Sequence, residues 1–495
     1  MKRIILVLLS LVMLAACQPT PETDAVRQKN QDAMIEMARG EGTDTVENQN
    51  PTESEKELPT LDYRAMYGIP EHLSEEFSGL SDKVTIIVDA DINVPDQPLP
   101  IVRAVPVDFS QELIYDLWHR LVGDRKMLID DGRETKESIK AQLEYWVNVL
   151  NSPEVNDYEP GEVEQMVKDL QARFNDAPDG EPPKEADGTF VIGELRDSRG
   201  NVIAHCTELQ AYEVGGISFN LQNSFDLKET VYESDGAYCM MNNAALSYAT
   251  SDQTPHAQDS SGTLASFHLT AGDPIPEQAK DYIHTTPAEI QARANALLEQ
   301  MGISDEYAVS AIELKPNADP WERGKLTGYA YRVDCVRTVL GVPVGNEMAL
   351  GMNLYWQEDM MAPAWLYENF YIWMDDSGEM RFFWSSPIET QDTVQPSCRL
   401  LPFSEIQGVM ESRLPMLLER SASNDSVQSC TATVHRIDLC LWRIREKNTV
   451  ETGLLVPVYC FYLDIHYERE YNRDMHDILI VNAVDGTVID PYNGY

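Results

Sequence analysis

Basic side chains are scarce in this 495-residue chain: 38 Lys and Arg stand against 82 Asp and Glu, a formal charge of −44. A polyanion of that size is repelled by nucleic acid and anionic lipid, which excludes nucleic-acid binding. Long apolar runs are also missing. Beyond the first 17 residues no stretch approaches the ~20 apolar residues that a membrane-crossing helix needs. The eight cysteines show no CxxC spacing, which argues against a zinc ribbon or a thioredoxin-like motif. No HExxH, GxSxG or P-loop motif is present either. A triad assembled by the fold leaves no such spacing, so these gaps favour binding over chemistry without excluding an enzyme.

What is present begins with an export signal. Lys2 and Arg3 precede an apolar core from Ile4 to Leu14, and small residues follow it, as at a cleavage site. Leu14-Ala15-Ala16-Cys17 resembles the lipobox at which bacteria attach diacylglycerol, so residues 1–16 are expected to be a signal peptide and Cys17 the lipidated residue. Two or more acyl chains give stable anchoring, each buried methylene contributing about 0.8 kcal/mol. The expected place is the extracytoplasmic face of the cell membrane, with the lipid anchor at Cys17 as the membrane contact. Loss of Lys2 and Arg3 leaves 36 basic against 82 acidic residues and a charge of −46. Seven cysteines then remain: Cys206, Cys239, Cys335, Cys398, Cys430, Cys440 and Cys460.

Residues 17–60 are rich in Pro, Glu, Thr and Asn, and such a segment cannot bury enough surface to offset its ordering entropy. It reads as a flexible tether with an end-to-end distance of roughly 35 Å, interrupted at most by a local helix from Gln31 to Ala38. Residues 61–270 read as an N-terminal α+β region. It contains a β-branched strand at Val84 to Val88, helical periodicity at Gln111 to Val122, Lys136 to Leu150 and Pro160 to Phe174, and a hairpin around Asp197 to Asn201. Gly216 to Asn220 and Ala237 to Met241 look like further strands, and Ser251 to Gly262 like a polar loop.

From Thr285 an approximate repeat emerges. Thr286-Pro287-Ala288-Glu289 opens one helix with a capping Thr, Pro in the first turn and Glu behind it; Pro402-Phe403-Ser404-Glu405 opens another. Long alternating strands follow each, Tyr329 to Leu340 and Ala432 to Ile444, and each copy closes on a hairpin, Tyr371 to Met380 and Ile478 to Val488. The expected fold class is therefore α+β, antiparallel sheets with packed helices and a duplicated helix-plus-sheet module over 285–400 and 401–495. The closing Val481-Asn482-Ala483-Val484-Asp485-Gly486-Thr487-Val488, preceded by Gly453 to Tyr459, resembles the ends of PepSY-type and YycH/YycI-type modules. That resemblance implies an extracytoplasmic unit that regulates a protease or sensor kinase by binding, and brings no catalytic residues. The whole chain also resembles an uncharacterised clostridial lipoprotein family.

Candidate chemistry is sparse. Asp89, Asp91 and Asn93 alternate as at the start of a calcium loop, but Val94 and Pro100 stand where that loop needs Gly and Glu, so an acidic strand exit is the better account. Nine scattered histidines include His466 and His476, which flank a turn region and approach each other if it is a hairpin; exposed loop histidines are the preferred reading. The aromatics from Trp365 to Trp373 and Phe382 to Trp384 read as sheet core in preference to a stacking surface. An antiparallel pairing of Ala432 to Ile444 with Leu455 to Tyr467, centred on residue 450, sets Ile437 opposite Leu463, Arg436 opposite Asp464 and Cys440 opposite Cys460, a disulfide candidate. No catalytic residue, metal ligand or cofactor is assigned. The expected function is a non-catalytic binding or regulatory module for an envelope protein or peptide; an envelope hydrolase and, ranked lower, a solute-binding lipoprotein are the alternatives.

Overall fold

The computed structural model describes residues 29–40, 60–130, 134–152, 155, 161–196, 200–226, 244–251, 257, 264–318, 325–345, 366–423, 426–447, 449, 452–469 and 473–491. The signal sequence, Cys17, Trp365 and the expected strand at Ala237 to Met241 lie outside them, as do most of the expected polar loop and most of the tether.

Helix α1 (Gln31–Arg39) and the short α2 (Tyr63–Tyr67) precede strands β1 (His72–Ser78), β2 (Val84–Asn93) and β3 (Ile101–Pro106). Helix α3 (Gln111–Leu121), strand β4 (Leu128–Ile129) and the helices α4 (Lys136–Leu150) and α5 (Glu162–Asp176) follow. Next come β5 (Val191–Arg196), β6 (Val202–Tyr212), β7 (Ser218–Gln222), β8 (Ala245–Ala249) and β9 (Phe267–Leu269). Helix α6 (Pro287–Met301) leads into β10 (Tyr307–Ala318), β11 (Leu326–Val339), β12 (Val342–Pro343), β13 (Asn369–Met374), β14 (Met380–Ser385) and β15 (Ile388–Gln395). Helix α7 (Phe403–Ala422) leads into β16 (Ser429–Arg445), β17 (Gly453–Glu468), β18 (Arg473–Asn482) and β19 (Val488–Ile489).

These elements make an α+β fold of two sheets, neither closed into a barrel. Sheet 1 runs β1-β2-β16-β17-β18-β19, with β3 pairing both β17 and β15. Sheet 2 runs β4-β6-β7-β8-β14-β13-β11-β10-β9, with β5 beside β6 and β12 beside β11. The chain therefore starts in sheet 1, builds all of sheet 2, and returns at β15 to finish sheet 1. Residues 61–270 divide between the two.

The repeat appears as topology. Helix α6 is followed by the meander β10-β11-β13-β14, and α7 by β16-β17-β18-β19, each strand pairing with the next. Helix α6 starts as its sequence dictates: the Thr286 hydroxyl accepts from Glu289 N, and the Glu289 carboxylate accepts from Thr286 N at 2.8 Å. A third helix-plus-meander, α3 with β5-β6-β7-β8, has no visible counterpart in the sequence because α4 and α5 are inserted within it. It meets the α6 copy through the β8–β14 pair, so sheet 2 is two meanders joined at their last strands.

One stretch departs from the tether expectation. Helix α1, capped by the Asn30 side chain, is seated on sheet 1: Met34 and Ala38 are buried, Arg399 N donates to Ala38 O, and Gln31 bridges Arg445 O and Lys447 N. Its apolar residues lie three and four apart, enough for a stripe that a sheet can cover. About 13 residues separate Cys17 from Asn30, so the span between them is at most about 45 Å.

Candidate functional site

The two sheets meet where β9 and β10 of sheet 2 face β16, β17 and β18 of sheet 1. The register that creates this junction differs from the one expected. Beyond a β-bulge between Val434 and Arg436 the pairs are Arg436 with Tyr462, Ile437 with Phe461 and Cys440 with Val458; before it, Ala432 opposes Ile465. The observed pairs beyond the bulge lie two residues from the expected ones, which leaves every side chain on its expected face, since strand periodicity is two. The bulge changes the phase once, and it moves His435 from the apolar face to the junction. Cys440 and Cys460 are diagonal neighbours, not opposed, with sulfurs 3.6 Å apart.

At the junction Asp464 Oδ1 lies 3.1 Å from His268 Nε2 and 2.6 Å from His476 Nδ1. The other nitrogen of His268 is 3.2 Å from Glu313 Oε1, and Lys315 Nζ is 2.6 Å from Glu313 Oε2. The His435 ring stacks on His268 with centroids 3.9 Å apart and planes 12° from parallel. Its Nδ1 is 3.4 Å from Asp464 Oδ2, yet is buried without a hydrogen bond. Burial disfavours charge on His268, but the two carboxylates outweigh it and raise its pKa to about 9. Burial and the neighbouring His268 push His435 down to about 4. Burial opposes ionisation of Asp464 as well, and contacts from His268 and His476 overcome it, holding the carboxyl well below its usual range.

The polar seam continues along the interface. Arg436 lies over the Tyr462 ring at 3.9 Å, donates to Ser310 O and sits 3.2 Å from Asp438, which accepts from Asn93. Beyond it, Gly345 N donates to Leu441 O. A Cβ on Gly345 would come within 2.8 Å of the Trp442 ring, so glycine is needed for this close approach. The adjoining cavity, lined by Arg337, Tyr367, Glu368 and Arg443, has room for about one water.

His466 and His476 do not pair with each other. Each meets an aspartate on the opposing strand, His466 with Asp474 at 2.6 Å and His476 with Asp464. Asp89 and Asp91 lie on β2, where alternation points both at His72 at 2.9 and 2.8 Å. The aromatic run divides by face: Phe370, Ile372, Phe382 and Trp384 are core, whereas Tyr371, Trp373 and Phe383 are half-buried on the opposite face. Among the described cysteines, burial pushes the thiols of Cys206 and Cys430 up to about 11, and those of Cys335 and Cys398 higher still, the reverse of what a nucleophilic thiolate needs. Sequence reasoning missed His268, Asp464 and Glu313 as a group. The alternation of Asp464 and His466 opposite Asp474 and His476 was the one available signal.

The model of the prokaryotic membrane lipoprotein lipid attachment site matches residues 1–18. This supports a lipoprotein held to a membrane by its lipid, and among the described residues no helix is long and apolar enough to cross one. None of the curated proteins matches the chain in sequence. A solved structure of an uncharacterized protein from Eubacterium rectale is similar to it at 14% identity and a TM-score of 0.36, over 87% of this chain and 99% of that one.

Proposed function

We propose that this lipoprotein works on the extracytoplasmic face as a non-catalytic docking module, which takes an extended basic segment of an envelope protein on the outer edge of sheet 1. The carrying observation is β1. Among the described residues it pairs with β2 alone, and its outer side is bordered by a groove lined by Glu75, Glu76, Phe77 and Glu411 of α7. An unpaired edge offers backbone donors and acceptors to an incoming strand. Burial and the neighbouring Glu411 raise the pKa of Glu75, so an incoming cation relieves like-charge repulsion there. The helix-plus-meander order of the last module supports a PepSY-type or YycH/YycI-type regulatory role.

The test places a photo-cross-linking residue at Ser74 in cells. Capture of an envelope protein through a basic segment is expected, and it should be lost when Glu75, Glu76 and Glu411 are all replaced by Lys. Salt should slow the encounter, because charges beyond about 8 to 10 Å are screened. Replacing Cys17 by Ala should move the protein to the aqueous phase in detergent partitioning and reduce capture. Capture unchanged by the charge reversal overturns the docking surface, and hydrolysis of an envelope polymer by the purified protein promotes the hydrolase alternative.

A further inference from the structure

We propose that His268, Asp464 and His476 form a binding site for a divalent transition-metal ion, zinc being the best match, and that the ion ties the two sheets together. The ligand atoms come from three strands of two sheets: His268 from β9 of sheet 2, Asp464 from β17 and His476 from β18 of sheet 1. One atom from each residue lies within 4.8 Å of the others. Around a tetrahedral zinc with bonds near 2.0 to 2.1 Å, ligand atoms sit about 3.3 Å apart. The 3.1 Å separation of His268 Nε2 from Asp464 Oδ1 already has that size, and the 2.6 Å separation of His476 Nδ1 from the same oxygen must open by well under an ångström.

The surroundings match a metal site beyond its ligands. A metal-bound imidazole characteristically gives its other N–H to a carboxylate, which fixes the ring and strengthens the ligand. Glu313 stands 3.2 Å from His268 Nδ1 and is itself held by Lys315. The stacked His435 ring restrains the plane of His268 on its other side. Because the rings are nearly parallel, the lone pair of His435 runs alongside that of His268 and does not converge with it, so His435 is a support and not a ligand. Two imidazoles and one carboxylate suit zinc and its first-row neighbours, whereas magnesium and calcium prefer all-oxygen shells. His476 and Asp464 are 44% and 39% exposed in their side chains, so the cluster is reachable from solvent. His466 with Asp474, two cross-strand pairs further along the same two strands, has the same two side-chain types but no third ligand among the described residues, and serves as an internal control.

The experiment uses the full mature protein, purified in detergent and stripped with a chelator. Calorimetric titration with Zn2+ should show one site, and Co2+ should give the visible absorption of a low-symmetry, nitrogen-containing site. His476→Gln and Asp464→Asn should each weaken Zn2+ binding by more than tenfold, and Glu313→Gln by about 10- to 100-fold through the orientation of His268. His466→Gln should leave affinity unchanged, and Mg2+ should not compete. His476 is at the surface, so its variant folds, and unchanged circular dichroism checks this. If the wild-type protein takes up no Zn2+, or if His476→Gln binds it as tightly as the wild type, the site is an ordinary His–Asp ion-pair cluster and the proposal is overturned.

Discussion

Strands β17 and β13 are both interior strands of a meander that follows a helix, yet they are buried differently. From Gly453 to Phe461 every residue of β17 is buried, because α7 covers one face and sheet 2 the other. Along β13 burial alternates: Phe370, Ile372 and Met374 enter the core beneath α3 and α6, while Tyr371 and Trp373 lie on the opposite face. The sequences carry the same distinction. Leu454 to Phe461 is an almost unbroken apolar run, as expected of a strand covered on both faces, whereas β11 and β13 set Arg332 and Asp334 opposite Trp373 and Tyr371 on the second face. An unbroken apolar run thus marks the strand at the centre of an assembly of two sheets. Where the run ends, at Asp464, the junction becomes polar and the histidines gather.

The largest effect expected from this contrast is on stability. Phe461→Ala empties a fully buried site between β17 and α7 and should cost about 3 to 5 kcal/mol. Trp373→Ala removes a still larger side chain from the half-buried face of sheet 2 and should cost about 1 kcal/mol, since little cavity forms there. Urea unfolding of both variants measures the difference. Equal losses would mean that the second face of sheet 2 is as tightly covered as sheet 1, and would remove the contrast.

A smaller effect concerns thiols. Cys440 and Cys460 lie buried on the junction face of sheet 1 with sulfurs in contact, whereas Cys206 and Cys335 of sheet 2 are buried with no such partner among the described cysteines. On the proposed extracytoplasmic face, an oxidising setting, the first pair is expected to close into a disulfide, and the loop of some 20 residues limits the gain to about 3 kcal/mol. Peptide mapping without reduction should recover Cys440 linked to Cys460, and leave Cys206 and Cys335 open to alkylation once the chain is unfolded. Separate alkylation of Cys440 and Cys460 in protein taken from cells would refute the pairing.

The fold was legible where the cause is local. The Thr286 and Glu289 capping box, the Lys136–Leu150 helix and the β5–β6 hairpin each follow from a few neighbouring residues. Strand pairing was legible only to its faces, and only beyond the bulge: an even shift there between β16 and β17 preserves the apolar pattern, so the pattern cannot choose between registers, while before the bulge the shift is odd and the faces exchange. The bulge beside His435 leaves no composition signal. His268 sits on a three-residue strand, 196 positions from Asp464 in sequence, and the packing of one sheet against another is all that joins them. The third meander was hidden by the helices inserted in it.

The smallest expected effect separates a half-sheltered ion pair at the rim of sheet 1 from one exposed pair beside sheet 2. At the rim of sheet 1, Arg103 of β3 clamps Glu446 with Nη2 at 2.7 Å and Nε at 2.8 Å, and Thr452 donates to the same carboxylate. Hydrogen bonds from Arg103 hold the Glu446 pKa below the usual carboxylate range, partly opposed by burial. A carboxylate whose folded pKa lies below its unfolded value stabilises the protein fully above the unfolded value, about 4.3. That contribution fades as pH falls through the lowered folded value. The Glu446 side chain is 18% exposed, so Glu446→Gln should cost on the order of 1 kcal/mol at neutral pH and nothing once the wild-type carboxyl is protonated. In sheet 2, Lys126 and Glu185 are 83% and 68% exposed, and Glu185→Gln should change stability little at any pH. Urea unfolding from pH 7 down to about pH 3 should therefore show the Glu446→Gln and wild-type curves converging at the acid end while Glu185→Gln tracks the wild type throughout. A gap for Glu446→Gln that stays constant with pH would mean that its cost comes from packing and not from charge, and that shelter from solvent does not set the worth of this pair.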